Sequence, residues 1–172
     1  MKTKIVQILI GIFFCCNAPI FAQNLKTFVD QKNGFAISYP KSWITVSQGK
    51  KSPVRFLATT NNDQNYPNAS AYLTISKYSG SSPLDSIADR YTKQLRTRGD
   101  IVSEIGESTI NGQNYYYLTS LEESPTEKIK SKYYLTVYDH NFIVVRLFTR
   151  KVEDFPIFYE ALQQIINSLK LF

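Results

Sequence analysis

Apolar residues recur along this chain with two different periods. Phe35, Ile37 and Tyr39 alternate with smaller or polar neighbours, and the run from Tyr72 to Ile75 reads the same way. The segments Tyr115 to Leu121, Tyr133 to Tyr138 and Phe142 to Phe148 are rich in aromatic and β-branched residues. All five predict strands, because a pleated backbone sends successive side chains to opposite faces. Asp139, His140 and Asn141 lie between the last two and suit a tight hairpin turn. The spacing changes to steps of three and four in Leu84, Ile87, Ala88, Tyr91 and Leu95. Ser82 as N-cap, Pro83 in the first helical position and Asp85 in the capping-box position predict where this helix begins, and Gly99 where it stops. A second helix is predicted from the single face formed by Phe155, Phe158, Tyr159, Leu162, Ile165, Ile166 and Leu169, with Glu160, Gln163, Gln164 and Asn167 opposite and Pro156 in its first turn.

Both parities of Phe142 to Phe148 are apolar, which implies a sheet covered on both sides. A mostly antiparallel sheet with one helix on each face meets that requirement. Breaks between elements fall at Gly49 to Pro53, Asn61 to Asn68, Ser79 to Ser82 and Glu122 to Thr126. The polar side of the second helix carries Gln, Asn and Glu rather than the Lys and Arg of a membrane-surface helix, so core packing is its expected role.

Residues 1–22 follow a different logic. Lys2 and Lys4 precede an uncharged core from Ile5 to Cys16, and Ala22 offers a small-residue boundary before Gln23. This is the pattern of a secretory signal peptide cut near Ala22. Asn17 and Pro19 interrupt the apolar run before it reaches the roughly 20 residues of a membrane-spanning helix. Lipidation at Cys15 or Cys16 is not expected, since Phe14 or Cys15 stands where a small residue precedes the acylated cysteine. Cleavage removes both cysteines of the chain, so residues 23–172 would form one exported domain without disulfides or thiolate chemistry. The expected location is secreted or periplasmic, with no membrane span after the signal is lost. The net charge of +6 falls by the two lysines of the leader, and the remaining charges are interspersed. Such mild basicity, without a binding motif, argues against nucleic acid as partner.

Candidate chemistry is sparse. His140 is the only imidazole and sits in the predicted turn. With no cysteine in the mature chain, a zinc site lacks its ligands, and the loop Asn61 to Asn68 lacks the glycine and terminal glutamate of a calcium loop. The acid pairs Glu122-Glu123 and Glu153-Asp154 are sequence neighbours at element ends, not carboxylates facing across a cleft. None of the seven glycines forms a phosphate loop. No catalytic residue, cofactor or metal is therefore expected. The surface feature that remains is Lys128, Lys130 and Lys132, which alternate along a strand and share a face opposite Ile129 and Tyr133. Such a row suits an acidic protein or an anionic surface, and equally the protection of an exposed sheet edge. Tyr115, Tyr116, Tyr117, Tyr133, Tyr134 and Tyr138 suit either an interface or the margins of a covered sheet.

Residues Gly34 to Trp43 read Gly-Phe-Ala-Ile-Ser-Tyr-Pro-Lys-Ser-Trp. Physically, Phe35, Ile37 and Tyr39 would face the core, Pro40 would end the strand and Trp43 would fill a large part of the interior. The segment also resembles the opening of PsbP-like (PsbP/DcrB-type) domains, in which an aromatic-led strand runs into Tyr-Pro and then Trp, and the order of the later strands and closing helix is similar. The resemblance implies an α+β fold, an α/β/α sandwich around an antiparallel sheet, and a docking or accessory role. The combined expectation is a monomeric, non-catalytic binding protein of the bacterial cell envelope whose partner is an envelope protein or an anionic surface. The competing expectation is a small envelope hydrolase with serine and carboxylate groups assembled by folding.

Overall fold

The computed structural model describes residues 24–60, 69–80 and 82–172. Residues 1–22, expected to be a signal peptide, and the run Asn61 to Asn68, expected to be a break between elements, lie outside the described residues. The chain order is β1 (Leu25–Asp30), β2 (Phe35–Pro40), β3 (Ile44–Thr45), β4 (Val54–Thr59), β5 (Ala71–Ser79), α1 (Leu84–Arg98), β6 (Ile101–Ile110), β7 (Gln113–Glu123), β8 (Lys128–Tyr138), β9 (Asn141–Thr149), α2 (Phe155–Ser168) and β10 (Lys170–Leu171). The strands form two antiparallel sheets instead of the single sheet expected. One has seven strands in the order β3-β4-β5-β9-β8-β7-β6, and the other has three, β1-β2-β10.

The two helices draw on different side chains of the same strands. Leu162, Ile165 and Ile166 of α2 share a core with Ile143, Val145 and Leu147 of β9, with Tyr134 of β8 and with Phe35, Ile37 and Tyr39 of β2. Ala88 and Leu95 of α1 pack with Val144 of β9 and with Tyr133 and Leu135 of β8. Alternation along a strand separates these two sets, which is why β9 carries apolar residues of both parities. The small sheet lies on the α2 side, so that face of the large sheet is covered by a helix and three strands together. Trp43 is buried there to 1% exposure, edge-on to Phe158 with ring centroids 6.2 Å apart.

Turns and caps set the lengths of these elements. Asp139 and His140 join β8 to β9 with φ of 45° and 56°, and Asn111 and Gly112 join β6 to β7 with 52° and 77°. Two consecutive positive φ values match the right-handed twist of paired strands. The helix α1 starts after Pro83, which has extended geometry, and no side chain caps it; Ser82 does not serve as N-cap. It ends as expected at Gly99, whose φ of 102° allows its own amide to reach Arg96 O and that of Asp100 to reach Leu95 O. The helix α2 stops at Ser168, one residue before the end of its apolar stripe. Leu169 turns extended there and β10 joins β2, pairing Leu171 with Phe35. The amide of Phe172 then donates to Gly34 O at 3.0 Å.

Candidate functional site

A cleft of about 630 Å³ opens between α2 and the strands β6, β7 and β8. Its floor comes from β8, which is an interior strand paired with β7 on one side and β9 on the other. The lysine row therefore does not guard a sheet edge. The register aligns Lys132 with Thr119 and Leu147, and Tyr134 with Tyr117 and Val145, placing the even-numbered residues of β8 on the α2 side.

The three lysines meet different fates on that face. Lys128 is exposed and ion-paired with Glu123 at 2.8 Å. Lys130 lines the cleft, its Nζ 4.8 Å from the centre of the Phe155 ring at the start of α2. Lys132 is buried, with a side chain only 3% exposed. Its Nζ lies 4.5 Å from the Tyr117 ring and 5.7 Å from the Tyr159 ring, and 3.2 Å from Glu104 Oε2. An ammonium taken out of water needs such compensation.

Glu104 reaches Lys132 because of an irregularity in β6. The pairing with β7 runs from Ser103 opposite Thr119 directly to Gly106 opposite Tyr117, leaving Glu104 and Ile105 to face the single residue Leu118. This bulge puts Glu104 at φ 50°, in the left-handed region that an L-residue enters at a cost of about 1 kcal/mol. A bulge re-aims its side chain, and here the carboxylate accepts from Thr119 Oγ1 at 2.6 Å as well as from Lys132. Gly106 completes the arrangement: a Cβ there would lie 2.5 Å from Tyr117 Oη, so its absence makes room for the ring beneath Lys132.

The electrostatics follow from these contacts. The hydrogen bonds from Thr119 and then Lys132 hold the Glu104 carboxyl below its ordinary range. Burial raises the Tyr134 phenol, although Gln163 Nε2 donates to its oxygen at 2.8 Å. Ser108 also lines the cleft, and its buried Oγ has no hydrogen-bond partner among the described residues. The site offers one net positive charge and aromatic walls.

Other residues singled out from the sequence stand elsewhere. His140 is exposed in its turn. Glu122 lies 3.5 Å from Arg98, and the pair Glu153-Asp154 belongs to the 3₁₀ turn that leads into α2. Among the described residues no group of three or more His, Cys, Asp or Glu could hold a metal ion, and no helix is long and apolar enough to cross a membrane. Of the tyrosines, Tyr115, Tyr133 and Tyr134 are buried in the core and Tyr116, Tyr117 and Tyr138 are partly buried against it. Glu104 and Ser108 carry no signal in the sequence, and Tyr159 and Gln163 stand out there only as positions on opposite faces of the second helix. The Asn111-Gly112 pair would have announced the hairpin that brings β6 to β7, but the bulge that aims Glu104 has no comparable mark.

The family model described as PsbP matches residues 23–171. Among solved structures, the chain is similar to the cyanobacterial PsbP protein CyanoP from Synechocystis sp. PCC 6803, with a TM-score of 0.62 and 15% identity over 92% of this chain and 97% of that one. It is similar to LpqN, involved in cell envelope biogenesis of Mycobacterium tuberculosis, with a TM-score of 0.60 and 12% identity over 86% of this chain and 91% of that one. The Saccharomyces cerevisiae Ran-binding protein Mog1p gives a TM-score of 0.60 and 10% identity over 86% and 95%. At these identities the likeness is one of fold. The comparison with the curated proteins gives no match.

Proposed function

Given that the chain belongs to the PsbP family, we propose that it is an exported, non-catalytic binding module of the cell envelope that docks an anionic partner through the α2 face of its large sheet. The observation that carries this reading is the cleft floored by Lys130 and Lys132 and walled by Tyr117, Phe155 and Tyr159. Cationic groups on aromatic faces, beside amphipathic tyrosines, make a surface suited to binding. The layered α/β/α architecture behind it is supported by the division of β8 and β9 side chains between the α1 and α2 clusters. Export is supported by the leader pattern in residues 1–22, and an envelope setting by the fold shared with LpqN.

A hydrolase is the second reading, and Ser108 is the residue that would favour it. A serine nucleophile is held by its base within hydrogen-bond reach. Ser108 Oγ has no such partner among the described residues. The test has two arms. Mass spectrometry of the protein from the envelope should find a chain beginning at Gln23. Capture from envelope extract should be lost with Lys130→Glu and weaken with salt, and an unchanged set of captured proteins would refute docking through this face.

A further inference from the structure

The cleft has features that name a ligand class more narrowly than its basic charge does. Its volume of about 630 Å³ falls in the range of small-molecule sites. Its three charged side chains are not equivalent. Lys132 is committed to Glu104 and to two tyrosine rings. Lys130 rests on Phe155, and among the described residues no carboxylate comes within ion-pair distance of its ammonium. The cleft thus has one ammonium left to pair. Glu104 sets an upper limit on charge. Its side chain is 59% exposed, and its contacts with Thr119 and Lys132 keep it ionised. A second negative charge on a ligand would meet that carboxylate without a second free cation to balance it.

We infer that the cleft binds a small organic monocarboxylate with a compact apolar, preferably aromatic, body. The carboxylate pairs with Lys130, and the body lies among Tyr117, Phe155 and Tyr159. Tyr134 and Gln163 satisfy each other at 2.8 Å and serve as wall, not as ligands. This deepens the docking reading and rests on it, because both need the α2 face to be a binding surface.

The test is calorimetric titration of the purified chain with 4-phenylbutyrate, its uncharged amide 4-phenylbutyramide, and phenyl phosphate. The carboxylate should bind about tenfold more tightly than the amide, the scale of one charge-assisted contact. Phenyl phosphate should bind more weakly than the carboxylate. Lys130→Gln should lower carboxylate affinity about tenfold and leave the amide unchanged, whereas Lys130→Arg should stay within about threefold. Glu104→Gln should improve phenyl phosphate more than the carboxylate, since it removes the opposing charge. Urea unfolding of each variant verifies that it is folded. Equal affinity for acid and amide, undiminished carboxylate binding by folded Lys130→Gln, or no binding of the carboxylate at millimolar concentration would overturn the inference. Partner capture that depends on Lys130 while carboxylates fail to bind would sink this ligand class and spare the docking reading. Loss of both would sink the two together.

Discussion

The Lys132 and Glu104 pair makes an asymmetric demand on stability that mutation can expose. Lys132 is 3% exposed in its side chain whereas Glu104 is 59% exposed, so the cation depends on the pair and the anion does not. At 3.2 Å the gross attraction is on the order of 5 kcal/mol with an effective dielectric constant near 20, and desolvation of the ammonium offsets most of it. Glu104→Gln leaves the buried ammonium with a neutral amide oxygen and the two tyrosine rings in place of a counter-charge, and should cost about 1–3 kcal/mol. Lys132→Met removes the buried charge and keeps a long apolar stem, while Glu104 retains water and the Thr119 hydrogen bond. That variant should lie within about 1 kcal/mol of the parent on either side. The double variant should resemble Lys132→Met, giving a coupling of about 1–3 kcal/mol. Urea unfolding at neutral pH, with the slope m unchanged across the set, measures these differences. The pH dependence has a defined sign. A carboxyl held below its unfolded value of 4.5 contributes stability that is present above that value and lost as pH falls through the lower folded one. The penalty of Glu104→Gln should therefore shrink on acidification below about pH 4.5. A Lys132→Met variant as damaging as Glu104→Gln would mean that the buried ammonium is not the partner that depends on the pair.

Three further outcomes follow from single contacts. Gly34 has φ of 72°, and a Cβ there would run into the carbonyl oxygen of Phe172, so Gly34→Ala should cost about 2 kcal/mol or more by thermal unfolding, with part recovered when Phe172 is deleted. Asn111 Nδ2 donates to Asn167 O at 2.8 Å and to Leu169 O at 3.1 Å, closing the end of α2; Asn111→Gly keeps the turn but should cost about 1 kcal/mol and speed amide exchange in the last turn of that helix. Burial pushes the Tyr115 phenol up from 10.0 to about 12, which means its contribution is complete below pH 10 and is lost as pH rises through 12. Tyr115→Phe should consequently lose stability less steeply between those values, and an unchanged alkaline limb in circular dichroism would contradict that assignment.

Local physics was readable in the chain because it repeats at short range. Alternation announced β2, β5, β7, β8 and β9, and steps of three and four announced both helices. Gly99 marked the stop of α1 through a backbone conformation that glycine adopts without strain. The Gly34 to Trp43 segment and the order of elements after it pointed to the PsbP family, and the two apolar parities of Phe142 to Phe148 divide between the clusters that contain α1 and α2. Period alone also put Lys128, Lys130 and Lys132 on one face. What they do there depended on partners distant in sequence. Placing β8 between β7 and β9 took the lysines away from any edge, and laying α2 across the sheet buried one of them, seated another on Phe155 and left the third in solvent. The bulge that turns Glu104 onto Lys132 and the return of the C-terminus to pair with β2 were equally beyond periodicity. Spacing sets which way a side chain points, but burial and charge compensation depend on which strands and helices come together around it.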